Sequence, residues 1–157
     1  MRKRLINPTA EPPGTPGQGR LDLERAAVVE VTSEDKDFRV ESAFASEDAR
    51  GWRAAAPGSQ TTRLIFDRPQ RLRCVSLVFE EGETARTQEF VLRWFSDGGS
   101  TVKEIVRQQW NFSPQGATSE TEDYRVSLSG VTILELSITP DISGRAAFAS
   151  MTQLRVA

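Results

Sequence analysis

The chain has 157 residues, 38% of them hydrophobic and 27% charged, a size at which a soluble domain buries about two-thirds of its unfolded surface and needs neither metal nor disulfide to fold. It contains no histidine and one cysteine, Cys74, which excludes Ser-His-Asp and Cys-His catalysis, every His-ligated zinc site and any four-cysteine site. Twenty basic and 22 acidic side chains leave a formal charge of -2, and because the two signs are interleaved there is no basic stripe to track a phosphate backbone, so a nucleic-acid partner is not expected.

Arg2, Lys3 and Arg4 open the chain like a signal peptide, but Leu5 and Ile6 run at once into Asn7 and Pro8. No apolar h-region follows. With no apolar stretch of bilayer length either, the expected address is cytoplasmic, without a membrane partner. Residues 1–20 read as a flexible arm. Pro8, Pro12, Pro13, Pro16, Gly14, Gly17 and Gly19 remove amide donors and offer little apolar area to bury. Pro13 and Pro16 also form a PxxP ligand pattern, for which a plain linker is the competing reading, and Leu5 and Ile6 are free to dock on the folded part. The remainder, 21–157, is expected to form a single domain.

Leu21 to Ala27 reads as a short helix. From there apolar, β-branched runs alternate with Gly, Pro, Asp and Ser, the pattern of short strands separated by turns. Val28–Thr32 is the first strand, followed by the polar run Ser33, Glu34, Asp35, Lys36, Asp37. Thr62–Phe66 is next, closed by Asp67, Arg68 and Pro69, since proline cannot donate to a ladder. Leu72–Glu80 carries Cys74, Val75, Leu77, Val78 and Phe79 on both faces, which suits a central strand covered on two sides.

Glu89–Phe95 alternates, with Phe90, Leu92 and Trp94 on the core side. Ser96, Asp97, Gly98 and Gly99 supply a tight hairpin, and Thr101–Arg107 returns as its partner. Tyr124, Val126 and Leu128 form another inward set, Gly130 turns the chain, and Thr132, Leu134, Leu136 and Ile138 continue until Pro140. Leu154 and Val156 close the sequence. Eight strands at this spacing imply two packed antiparallel sheets, an all-β sandwich or jelly roll. The turns are too short for the crossover helices of an open α/β sheet.

The order Val31-Thr32-Ser33-Glu34, Gly51-Trp52-Arg53-Ala54, Thr62-Arg63-Leu64-Ile65-Phe66-Asp67-Arg68-Pro69-Gln70-Arg71-Leu72, Phe90-Val91-Leu92-Arg93-Trp94-Phe95-Ser96-Asp97-Gly98-Gly99 and Leu154-Arg155-Val156 resembles the discoidin-like, galactose-binding-domain-like superfamily over Ala27 to Ala157. The resemblance implies an antiparallel jelly-roll β-sandwich that acts as a noncatalytic module. Such modules bind carbohydrates, lipids or proteins through loops at one end. The chain departs from the extracellular members in lacking a secretion signal and a terminal cysteine pair, which implies an intracellular, bacterial-type module.

Sugar binding requires an aromatic face for the apolar side of a pyranose and planar hydrogen-bonding groups for its hydroxyls. Of the three tryptophans, Trp94 has core parity. Trp52, with Arg53 beside it, is either a ligand contact or the plug of the sandwich bottom that the resembled family places there. Trp110, after a strand and before Ser113-Pro114, is the leading stacking candidate, with covering of an open sheet end as its alternative. Arg86 and Arg107, near loop ends, offer bidentate donors or form ordinary surface ion pairs. Glu34, Asp35, Asp37, Glu47 and Asp48 offer oxygens to calcium without a full calcium-loop pattern, and Glu80, Glu81 and Glu83 around Gly82 read as a polar loop.

Two carboxylates suffice for a glycosidase, and sequence cannot sort 22 acids by environment. Gly98-Gly99-Ser100 lacks phosphate-loop spacing, and Asn111-Phe112-Ser113 is a glycosylation pattern of no consequence without secretion. The reading is therefore a noncatalytic binding module without cofactor or metal, with a carbohydrate ligand recognised by Trp110, Trp52, Arg53, Arg86 and Arg107. The alternative is a cytoplasmic protein-interaction or assembly domain.

Overall fold

Two strands twice the length anticipated dominate the computed structural model, which describes residues 20–45 and 50–157. The proline-rich stretch and the pair Glu47 and Asp48 lie outside the described residues. A four-residue helix α1 (Leu23–Ala26) docks by Leu23 and leads into β1 (Ala27–Val31). Then come β2 (Trp52–Arg53), β3 (Gln60–Glu80), β4 (Arg86–Ser96), β5 (Thr101–Phe112), β6 (Ser119–Thr139), β7 (Ser150–Met151) and β8 (Gln153–Val156).

The stops anticipated at Pro69 and Gly130 are corners of continuous strands, not strand ends. Pairing between β3 and β6 runs in register from Gln60↔Ile138 to Ile65↔Ile133, slips at Gln70↔Val131 and Leu72↔Leu128, and resumes from Cys74↔Arg125 to Glu80↔Ser119. Pro69, which has no N–H to donate, falls in the first gap, and Gly130, at φ +71°, falls in the next one, between the partners of Gln70 and Leu72. A missing donor on one strand and a left-handed residue on its neighbour together let both strands bend and pass from one layer to the other.

Beyond the corner the layers differ in membership. One is ordered β1-β3-β6-β4-β5, and β8 pairs with the far half of β3 in the other. Phe79 and Tyr124 of the second layer lie 5.2 and 6.4 Å, centroid to centroid, from Phe90 of the first. The layers therefore face each other as an antiparallel sandwich, with Leu64, Leu77, Leu92, Leu136 and Leu154 among the buried residues between them.

The alternation read in Glu89–Phe95 holds for Phe90 and Leu92, whereas Trp94 is only half-buried, with Lys103 Nζ 6.0 Å from its ring centroid. On the outer face Glu135 is clamped by Arg63 at 2.7 Å and Arg93 at 3.4 Å, and its carboxylate raises the Arg63 pKa. The turn after β4 has the anticipated left-handed residues, Asp97 at φ 54° and Gly99 at φ 100°, but β5 runs on to Phe112 and so absorbs Trp110.

Because β3 folds back on itself, its two ends share one rim. Backbone bonds from Glu81 N to Thr118 O, Ile142 N to Thr87 O and Gly58 N to Ala147 O stitch the connecting segments there. Asp141 adds to this rim. Its carboxylate is held below the usual range by the Ser143 amide and hydroxyl and by Arg145, which also donates to Ala85 O at 2.9 Å.

Candidate functional site: a rim cleft beside strands β2 and β7

The two-residue pair β2–β7 closes one side of this rim and needs a backbone without a side chain at its entry. Gly51 sits at φ +70°, where a Cβ would lie 2.5 Å from Met151 O. This close approach sets Trp52 opposite Met151 and Arg53 opposite Ser150. The segment after β1 then wraps them. Asp35 N donates to Arg53 O at 2.8 Å, Arg53 N donates to Phe38 O at 3.1 Å, and Trp52 Nε1 donates to Ser33 O at 2.9 Å. Across from β2, Thr152 N donates to Val78 O and its hydroxyl donates to Glu80 Oε1 at 3.2 Å.

These bonds frame a cleft of about 150 Å³ lined by Phe38, Arg50, Trp52, Arg53, Glu80, Ser150, Met151 and Thr152. Trp52 is 1% exposed and forms the floor. The Arg53 guanidinium leaves the cleft mouth over Phe148, 5.7 Å from the ring centroid, and that ring is 40% exposed. The arrangement combines the arginines Arg50 and Arg53, a carboxylate acceptor, two hydroxyls and, beside Arg53, an exposed aromatic ring. Such a set can hydrogen-bond a polyhydroxylated molecule while covering its apolar face.

Of the five side chains read as ligand contacts, only Trp52 and Arg53 meet here. Trp52 contributes packing, because its ring is buried and its one donor is spent on Ser33, in keeping with the plug reading of the two left open for it. Arg86 is also interior. It donates to Glu81 Oε1 at 3.0 Å and to Pro140 O at 2.7 Å and lies over Phe112 at 5.3 Å, so it pins rim loops and presents nothing to a ligand. Burial pushes Glu81 up, but the amides of Glu83 and Thr84 together with Arg86 outweigh that and hold it low.

Arg107 projects from the outer face of β5 into ion pairs with Glu89 at 3.2 Å and Glu104 at 3.1 Å. Trp110, three residues on, takes the inner face, half-buried against the core opposite Gln88. The two are therefore on opposite sides of one ribbon.

Calcium finds no cradle among the described residues: no three acidic or cysteine side chains gather there. Asp35 instead accepts from Asp37 N and Glu34 from Val40 N. The carbonyls of Ala43, Phe44 and Ala45 receive the Arg155 guanidinium at 3.2–3.3 Å, and burial beside Arg20 lowers its pKa. Glu80, Phe148 and Thr152 are the contributors that sequence reading missed. The one local signal was an aromatic residue, Phe148, set in a run of Ala, Gly and Ser.

No protein-family model and no curated protein matches the chain. Solved structures do. A module from a family 31 glycoside hydrolase of Clostridium perfringens, itself a family 32 carbohydrate-binding module, superposes with a TM-score of 0.65 at 14% identity over 87% of this chain and 93% of that one. The fold is that of the family 32 carbohydrate-binding modules. A second such module from the same organism, solved with GalNAc-β-1,3-galactose, gives 0.63 at 17% identity over 87% and 98%. A Ruminococcus gnavus family 29 fucosidase solved with fucose gives 0.65 at 11% identity, but the chain spans only 26% of it. The discoidin-like jelly roll implied by the sequence motifs is thus the observed fold.

A second polar cluster lies between the layers. Glu120, Glu122 and Tyr124 alternate on the inner face of β6, and Glu120 pairs across to Phe79. The facing layer presents Gln88 and Trp110 as register partners, next to Phe90. Gln88 and Glu120 are 0% and 1% exposed, and the Gln88 amide, both Glu120 oxygens, the Tyr124 hydroxyl and the Trp110 N–H lack hydrogen-bond partners. Burial, reinforced by the neighbouring Glu122 carboxyl, pushes Glu120 up to about 8, and burial next to both carboxyls raises Tyr124. At neutral pH Glu120 is therefore mostly an uncharged acid.

Proposed function

We propose that the chain is a noncatalytic carbohydrate-binding module that takes a saccharide in the β2–β7 rim cleft. The observation that carries this reading is the cleft itself, where Arg53, Glu80, Thr152 and the exposed Phe148 ring converge at the end of a sandwich. Its structural neighbours include modules solved with galactose and with GalNAc-β-1,3-galactose. Glycoside hydrolysis needs two carboxyl groups flanking one bond. The described lining supplies one, Glu80, while Glu81 is committed to Arg86. A binding role needs no second acid.

A glycan array spanning neutral and acidic saccharides, followed by calorimetry on the strongest hit, tests the proposal. Wild-type protein is expected to bind at least one glycan, and Phe148→Ala to weaken that binding about 10-fold, in line with loss of one aromatic contact worth roughly 1–1.5 kcal/mol. A folded protein that binds no saccharide on the array overturns the reading.

A further inference from the structure

We propose that the outer face of the five-stranded layer is a dimer interface that takes a second copy of this chain. Strand register arranges this face in rows that cross all five strands. One row is apolar: Val28↔Ile65↔Ile133↔Phe95↔Val102. The next, two residues along each strand, is Glu30↔Arg63↔Glu135↔Arg93↔Glu104, in which the sign alternates at every step. The apolar row is open at both ends, where Val28 and Val102 are 59% and 51% exposed, and Ile65, Ile133 and Phe95 between them are half-buried. An antiparallel sheet that meets only water carries polar residues on that side. A continuous apolar row across every strand instead marks a contact surface.

The charged row identifies the occupant. Two copies packed face to face about a two-fold axis along the strands set each strand against a strand of the other copy. With the axis on β6, every charge would meet its own sign. Moved by half a strand spacing to lie between β6 and β4, the axis opposes β6 to β4 of the second copy and β3 to β5. Glu135 then faces Arg93 and Arg63 faces Glu104, each contact occurring twice by symmetry, while Ile133 covers Phe95 and Ile65 covers Val102. An axis between β3 and β6 would also oppose unlike charges, but it exchanges the twelve-residue β5 for the five-residue β1 and so covers less strand. Arg63 and Glu104 are nearly half-exposed, which leaves each with polar capacity beyond its partners within the chain.

Four strands about 4.8 Å apart, overlapping along the seven residues Glu89–Phe95 that β4 pairs with β6, cover roughly 500 Å² per copy. That is the low end for a specific interface, so the dimer is weak and reversible. Because the axis runs along the strands, both rims point the same way. On the carbohydrate-binding reading this turns two clefts toward one surface, where the second binding event becomes intramolecular; the dimer itself does not depend on that reading.

Sedimentation velocity of the whole chain from about 1 to 500 μM, the range over which a weak dimer fills, tests the proposal. The weight-average mass is expected to climb from one chain toward two. Val102→Lys, at an exposed position on an edge strand, should keep the melting temperature and weaken association at least about 10-fold, because symmetry buries the new charge twice. Arg63→Glu and Glu104→Arg, each checked as folded by circular dichroism, should weaken it by a similar factor. An equimolar mixture of these two should recover association close to wild type, since only the mixed dimer opposes unlike charges at both contacts. Wild-type protein that stays a single chain throughout overturns the proposal, and glycan binding by that single chain leaves the carbohydrate reading standing. Association that survives Val102→Lys overturns the assignment to this face, and a mixture that fails to recover overturns the placement of the axis.

Discussion

Between pH 5 and pH 8 the melting temperature is expected to fall by about 5–10 °C at constant ionic strength, and Glu120→Gln to flatten most of that fall. The carboxyl of Glu120 is buried between the layers with neither oxygen partnered. Phe79 is its register partner on β3, Glu122 and Tyr124 share its face of β6, and the charged group that acts on it is the Glu122 carboxyl, so no cation stabilises its ionised form. Its pKa rises from 4.5 to about 8 on folding. Across that window the folded chain holds a proton that the unfolded chain has released, so stability is greatest below the lower value and is lost as pH climbs toward the upper one, by up to about 1.4 kcal/mol per pH unit.

The absence of histidine makes the experiment clean, because no other side chain ordinarily changes charge between pH 5 and 8. Glutamine copies the neutral acid. The variant should therefore match wild type at pH 5 and exceed it at pH 8. Parallel melting curves for the two proteins across the whole range would contradict the account of Glu120.

Arg86→Ala is expected to cost about 3–5 kcal/mol in urea unfolding, the usual consequence of removing one partner from a buried ion pair. The side chain is 2% exposed and joins three segments through Glu81, Pro140 O and the Phe112 ring. Its loss strands a carboxylate and a carbonyl and leaves a hole beside an aromatic. Adding Glu81→Gln to Arg86→Ala should recover part of the loss, since the double variant no longer carries an unpaired acid. A cost under about 1 kcal/mol would show that Arg86 does not hold the rim together.

Local chemistry explains which parts of this protein could be read in advance. The turn at Asp97 and Gly99 was legible because left-handed φ angles select a few residue types at once, and the burial of Phe90 and Leu92 because a two-residue period needs no knowledge of the partner strand. Pro69 and Gly130 misled because the same residues that end a strand also permit it to bend, and what distinguishes the cases is whether a neighbouring strand bends at the same register. Here one does.

Arg86 looked available, and Trp52 stayed open between ligand contact and plug, because each follows a small residue in the sequence. Their burial comes from Pro140, Phe112, Ser33 and Met151, contacts made only once the chain has folded back. The cleft was less legible still: Phe38, Arg53, Glu80, Phe148 and Thr152 come from four separate stretches, and no window of the sequence holds more than two of them.

The location of binding is the claim on which the rest turns, and amide resonance mapping during a titration with the array-selected glycan tests it most directly. The account predicts shifts concentrated at Phe38, Arg53, Glu80, Phe148 and Thr152, with the glycan recovered intact. Shifts centred on the opposite rim, around Asp67 to Arg71 and Asp97 to Gly99, or cleavage of the glycan during the titration, would contradict it.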